Sequence, residues 1–302
     1  MLKPILLLLS VFLLSSCKPE AAKDADTAPE QQTETQAAEE QTPLAAAVTP
    51  VPLPAEMMFH GQPIDPMCFA LPLSDDPALL TGTIALDRCR ADDIAVPAAI
   101  DWRPDAQGWI GYEYGYRNEG EAGAVTGRGA FSKYRYIGQV DGYHVVLTAQ
   151  SGGGSGIFTA LSGFRRVGDT VVRVKDYAAG DRCNGGIPDA VIKDGALSYQ
   201  IYLTPPDMLG LAGLEEKMVP YKDLESSAAS CFATAHYKNG QFTGMELLPK
   251  SFEDRLGWTG KYKYQACFNE IGRGLAKAGL VFLNQRLSLR LAQTFRSTCL
   301  RN

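Results

Sequence analysis

Histidine is scarce in this chain. His60, His144 and His236 are the whole supply in 302 residues, and they stand far apart. With no framing motif they give no support to a Ser-His-Asp arrangement. No C-x-x-C pair occurs, so no zinc ligand set of recognisable spacing is present. The densest glycine run, Gly152-Gly153-Gly154-Ser155-Gly156, lacks the lysine and spacing of a P-loop. Ile157 stands where a G-x-S-x-G nucleophile elbow requires glycine. A basic excess is missing too. The whole chain carries −5, and residues 57–302 are neutral once the acidic N-terminal part is set aside. Neutrality argues against bulk nucleic-acid binding and against electrostatic adhesion to anionic lipid. No catalytic residue, cofactor or metal site is assigned on this basis.

What is present begins at the N-terminus. Lys3 precedes an apolar run, Ile5 to Leu14, which Ser15, Ser16 and Cys17 close. At about ten residues the run is far short of the roughly 20 that cross a bilayer, and its layout is that of a secretory signal peptide. Leu14-Ser15-Ser16-Cys17 resembles the lipobox of bacterial lipoproteins. The resemblance implies cleavage before Cys17, acylation of that cysteine (palmitate included) and a membrane partner. Lys18 after the cysteine, rather than aspartate, implies sorting to the outer membrane, facing the periplasm. An ordinary signal peptide cut elsewhere is the alternative.

Residues 18–56 contain no aromatic residue and carry eight acids against two lysines, a net charge of −6. Such a stretch buries too little apolar surface to offset the entropy of ordering, and a disordered tether is expected. Its 39 residues span roughly 35 Å. Residues 57–302 then form one domain.

Six cysteines remain: Cys68, Cys89, Cys183, Cys231, Cys267 and Cys299. An even number in an exported chain points to disulfides. Six allow 15 pairings. The near-neighbour set is Cys68–Cys89, Cys183–Cys231 and Cys267–Cys299.

The middle of the chain is strand-like. Asp141-Gly142, Asp194-Gly195 and Asn239-Gly240 each separate two runs rich in β-branched and aromatic residues, and Gly168-Asp169 marks a further turn. The expected strands are 131–140, 143–149, 157–167, 170–177, 190–193, 196–203, 232–238 and 241–248. A short helix is expected after Thr204-Pro205-Pro206, and two more over 262–278 and 285–299. Leu287, Leu291, Phe295 and Cys299 share a face of the last. The fold class is α+β: an antiparallel β-meander with a short central helix and two C-terminal helices.

Three segments invite a functional reading. Gly180-Asp181-Arg182-Cys183-Asn184-Gly185-Gly186 concentrates an acid, a guanidinium and an amide among glycines. Asp181, Arg182 and Asn184 are binding candidates, since a guanidinium grips carboxylate or phosphate with two bonds. A disulfide-pinned structural loop is the alternative. Antiparallel parity places this loop at the sheet end that carries Ser151 to Gly156, which adds Ser151 and Ser155. Trp109 and the row Tyr112, Tyr114, Tyr116 could stack on sugars if exposed, or form core if buried. The adjacent acids Asp75-Asp76, Asp92-Asp93 and Glu215-Glu216 point apart in a strand or helix.

The stretch from Gly152 through Gly186 to Leu209 is similar to envelope proteins of unassigned function. The expectation is a lipid-anchored binding module for a periplasmic protein or an envelope glycan, with an inhibitor or immunity-type role as one version. An envelope-polymer hydrolase using two carboxylates is the alternative.

Overall fold

A computed structural model describes residues 50–70, 82–90, 94–117, 125–253 and 257–301. Cys17, the tether up to residue 49 and the acid pairs Asp75-Asp76 and Asp92-Asp93 lie outside these residues. The expected tether runs to residue 56, and its last residues, from 50 on, are among those described. Ala55–Met57 form a turn of 3-10 helix, and Leu53 packs on the core. Pro50, Pro52 and Pro54 limit the freedom that ordering removes, and Met57 and the Arg166 guanidinium, which donates to the Glu56 and Met58 carbonyls, help Leu53 hold the segment.

A two-residue hairpin opens the fold, β1 (Met58–Phe59) against β2 (Gln62–Pro63). Next come β3 (Thr83–Ala85), β4 (Ile94–Ala95), β5 (Trp109–Arg117), β6 (Val125–Val140), β7 (Tyr143–Gly152), β8 (Phe158–Val167) and β9 (Thr170–Asp181). They form a seven-stranded antiparallel sheet in the order β3-β9-β8-β7-β6-β5-β4. From β5 to β9 each strand pairs with its successor, as a meander requires. β10 (Ala190–Lys193), β11 (Ala196–Leu203), β12 (Ala233–Lys238), β13 (Gln241–Leu247) and β14 (Phe282–Asn284) form a second antiparallel sheet of five. Both central residues of the turns at Asp141-Gly142, Asp194-Gly195 and Asn239-Gly240 have positive φ. That is the geometry of a two-residue hairpin matched to strand twist, and it explains the choice of Asp or Asn followed by Gly.

Four helices lie among the described residues: α1 (Pro205–Leu211), α2 (Trp258–Lys261), α3 (Gln265–Lys277) and α4 (Gln285–Thr298). The α1 start is built as its sequence suggests: the Thr204 N–H and hydroxyl both donate to Asp207 Oδ2, at 3.1 and 2.5 Å. The helix expected over 262–278 is α3, which begins at Gln265, because Tyr262 is extended and separates it from the single turn of α2.

The seven-stranded sheet is covered on both faces. On one, Met57, Ile64, Cys68 and Phe69 pack on Ile110, Tyr134, Val146 and Phe164. On the other, Val145, Leu147 and Leu161 meet Ile187, Ala190, Leu197 and Tyr199 of the second sheet and the chain leading into it. Leu203, of the same β11 parity as Leu197 and Tyr199, packs instead in the helical core with Met208, Phe268, Leu291 and Phe295. One face of the second sheet thus covers the first sheet at one end and carries the helices at the other.

The three disulfides formed are Cys68–Cys89, Cys183–Cys231 and Cys267–Cys299. Cys267–Cys299 joins α3 to the end of α4. Cys68–Cys89 closes the segment that covers the first face.

Candidate functional site

The second sheet stops short of β5 and the middle of β6, and a groove of about 660 Å³ lies there. Its floor is the outward row of the two strands. Trp109, Gly111 and Glu113 of β5 stand opposite Arg135, Lys133 and Phe131 of β6. The turn before β5 supplies the wall, with Asp101, Arg103 and Asp105.

Two aspartates shape that wall. Asp101 accepts the backbone N–H of Arg103 at 3.0 Å and is gripped by the Arg103 guanidinium at 2.7–3.2 Å. The Arg103 bonds hold its carboxyl down at about 2, so it stays ionised at every ordinary pH. Asp105 Oδ1 accepts the N–H groups of Gln107 and Trp109 at 2.8 and 2.9 Å. Gly108, at φ +82°, completes this turn and delivers the chain into β5.

The floor is a run of alternating aromatic and cationic groups. The Lys133 ammonium sits 4.8 Å from the Trp109 ring centre and 5.4 Å from that of Phe131. The Arg135 guanidinium lies 5.5 Å from Trp109. Arg135 is buried and its Nη2 donates to Asp189 at 2.6 Å and to the Ala190 carbonyl at 3.3 Å, which ties β6 to the start of β10. Arg103 and Arg135 therefore each have a carboxylate partner. Lys133 has none among the described residues. Glu113, exposed at the groove's rim, also lacks an ion-pair partner there.

The other candidates divide. Tyr112 is buried; it donates to Asp65 at 2.7 Å, and Asp65 also holds Arg90 at 2.5 Å and the Met67 N–H at 2.9 Å. Burial raises the Tyr112 pKa, and the Asp65 charge adds to it. Tyr112 is thus an anchor for the segment over the first face, not a stacking platform. Tyr114 is half-buried, with its hydroxyl on the Ser151 carbonyl at 3.4 Å; the Tyr116 side chain lies outside the description.

The 180–186 loop does lie at the sheet end that carries Ser151 to Gly156. Asp181 accepts the Ile157 N–H at 2.9 Å, and Arg182 N–H donates to the Ile157 carbonyl at 3.2 Å. Arg182 Nε lies 3.0 Å from Asp181, so its guanidinium is engaged within the loop. A side chain at Gly180 would lie 2.6 Å from Gly185 Cα, and one at Gly186 would lie 2.7 Å from the Arg182 nitrogen. The glycines therefore serve close backbone packing. Ser151 is buried and bonded to the Gly153 N–H at 3.3 Å, while Ser155 and Asn184 are exposed. The structure brings this set together as a pinned knot with two free polar tips.

His144 is buried beside Tyr136, and burial lowers its pKa. His236 lies 3.5 Å from Glu246 on the outward face of the second sheet. Neither shares the groove. Glu215 and Glu216 are exposed beside a 3-10 turn, as solvated acids.

Of the groove residues, sequence reasoning singles out Trp109 and Tyr112 and misses Asp101, Arg103, Asp105, Glu113, Phe131 and Lys133. The available signal was the two-residue period itself. It puts Trp109, Gly111 and Glu113 on the face opposite the tyrosine row. No known protein family, curated protein or solved structure matches the chain.

Proposed function

We propose that this chain is a lipid-anchored cell-envelope protein whose folded domain binds a periplasmic protein or an envelope glycan in the groove beside β5. Residues 1–16 are its signal peptide, Cys17 carries the lipid, and the acidic stretch after it is the tether from the outer membrane. Three disulfides suit an oxidising compartment. The observation that carries the binding half is Lys133, an ammonium backed by two aromatic rings at the floor of a groove with no carboxylate partner among the described residues. An aromatic-backed cation beside an exposed carboxylate suits recognition of polar, charged groups. The hydrolase alternative draws less support from the wall acids. Asp101 is held ionised by Arg103, and Asp105 is occupied by backbone donors. Neither is placed as a proton donor.

Two measurements test this. Fatty-acid labelling in a Gram-negative host should mark the wild type and not Cys17→Ala, which should leave the membrane fraction. Retention of envelope components by the full chain in detergent, compared with Lys133→Ala, should reveal a ligand lost in the variant. Shortening of a retained glycan would favour the hydrolase instead.

A further inference from the structure

We propose that the groove takes an extended acidic peptide as an added strand on the open edge of β5. This rests on the reading of the groove as the binding site and names its ligand class.

β5 is an edge over its first half. β4 pairs with it only at Gly115 and Tyr116, and no described strand lies beside it over 109–113. The direction of its backbone groups follows from Asp105. The Trp109 N–H donates to Asp105 Oδ1, and the Trp109 carbonyl accepts the Asp105 N–H at 2.9 Å. Both groups of Trp109 therefore point away from β6. In an antiparallel pair this direction repeats every second residue, so the N–H and C=O of Gly111 and Glu113 point outward too. Asp105 occupies the first rung of the edge. The next two rungs face the groove.

Those rungs repeat at the two-residue spacing of a strand, which an extended peptide matches along its length. The chemistry of the floor selects among peptides. Lys133 lacks a carboxylate partner among the described residues, while Arg103 and Arg135 are already paired. An Asp or Glu side chain of the added strand, directed to the floor, meets that ammonium. Trp109 is a poor sugar platform by comparison, because Lys133 and Arg135 both lie against its ring.

The test is selection of a random decapeptide phage library on the immobilised full chain in detergent, followed by affinity measurement with the selected synthetic peptide. Selected sequences should share an acidic position. Glu113→Pro removes an outward N–H but no bond to β6, a change an edge strand tolerates. It should weaken binding at least tenfold relative to Glu113→Ala, which removes the same carboxylate but keeps the N–H. Lys133→Ala should cost at least tenfold. Circular dichroism checks that the variants fold. N-methylation along the peptide guards against a failed Glu113→Pro fold, because it leaves the protein untouched. Methyl groups at alternate positions should abolish binding and those between should not. Uniform tolerance of N-methylation, or equal binding by Glu113→Pro, overturns strand addition and leaves a binding groove. Selection of no peptide, with retention of an envelope glycan that Lys133→Ala loses, overturns the peptide but keeps the proposed function. Retention of neither removes both.

Discussion

Gly111 stands so close to Lys133 that no side chain fits between them. A Cβ on Gly111 would lie 2.6 Å from Lys133 Cα and would also collide with Lys133 Cβ. Here the two strands touch through backbone, and this contact sets the depth of the groove floor. Gly111→Ala must push β5 away from β6 or twist it. The expected cost is about 1–3 kcal/mol, the range of overpacked positions. Urea denaturation measures it. A midpoint unchanged from wild type would mean that the strands separate freely at this point.

Arg135 and Asp189 make an asymmetric pair, because the guanidinium end is buried and the carboxylate is partly exposed. Deleting the carboxylate strands a buried charge, whereas deleting the guanidinium frees an acid that water can reach. Asp189→Asn should therefore destabilise the fold more than Arg135→Met, by about 1–3 kcal/mol against about 1 kcal/mol or less after allowance for solvent screening. Thermal unfolding of the two variants side by side decides the order, and the reverse order would refute the argument.

Gln265 is fully buried and bridges two elements. Its Oε1 accepts the Glu225 N–H at 2.9 Å, and its Nε2 donates to Asn269 at 2.8 Å. Glu225 is itself buried. Burial opposes its ionisation, but bonds from Ser227 and Ser230 outweigh that and lower its pKa. Gln265→Ala leaves the Glu225 N–H and the Asn269 amide without this partner, and opens a cavity. A loss of about 2–4 kcal/mol is expected, with earlier hydrogen exchange at residues 225–231. Exchange that changes only within α3 would confine the role of Gln265 to its own helix.

His144 gives the fold an acid sensitivity of known sign. Burial lowers its pKa below the 6.5 usual for histidine, with the Glu56 charge pulling the other way. The unfolded chain then takes up a proton that the folded chain refuses. Stability from this group is complete above pH 6.5 and is lost as pH falls below 6.5 towards the folded pKa. Glu225 adds a second loss at lower pH, below the 4.5 usual for a glutamate. His144→Gln should flatten the first window and leave the second. Urea midpoints at pH 7.5, 5.5 and 4 test both. The prediction is falsified if the variant keeps the wild-type fall between pH 7.5 and 5.5.

The hairpins were legible because their chemistry is local. Asp-Gly and Asn-Gly carry the positive φ of the turn in two adjacent residues, and flanking β-branched runs mark the strands. The short α1 was legible for the same reason, through Thr204 and Asp207. The cysteines pair as near neighbours once each lies in an adjoining element. The groove was not legible, since it consists of what fails to cover it. Trp109, Phe131 and Lys133 would be ordinary strand residues if the second sheet extended one strand further. Where it stops depends on how β10 meets β6, at Arg135 and Asp189, and those residues are 54 positions apart. The tyrosine row left both readings open, because an alternating pattern does not say which face is covered. Asp65, 47 residues from Tyr112, decides that.

The bond between Cys68 and Cys89 also determines how the domain carries load. Tension entering along the chain from Pro50 travels to Cys68 and crosses the sulfur bridge to Cys89. It then continues down the chain, so residues 69–88 bear none of it. Pulling can peel Leu53, Met57 and Ile64 from the sheet, but the bypassed stretch is never drawn taut. Reduction of that one bond adds its contour to the path, about 70 Å at the reach of an extended residue. Under force the domain behaves as a strap with a stop. A single thiol–disulfide exchange would turn the stop into slack.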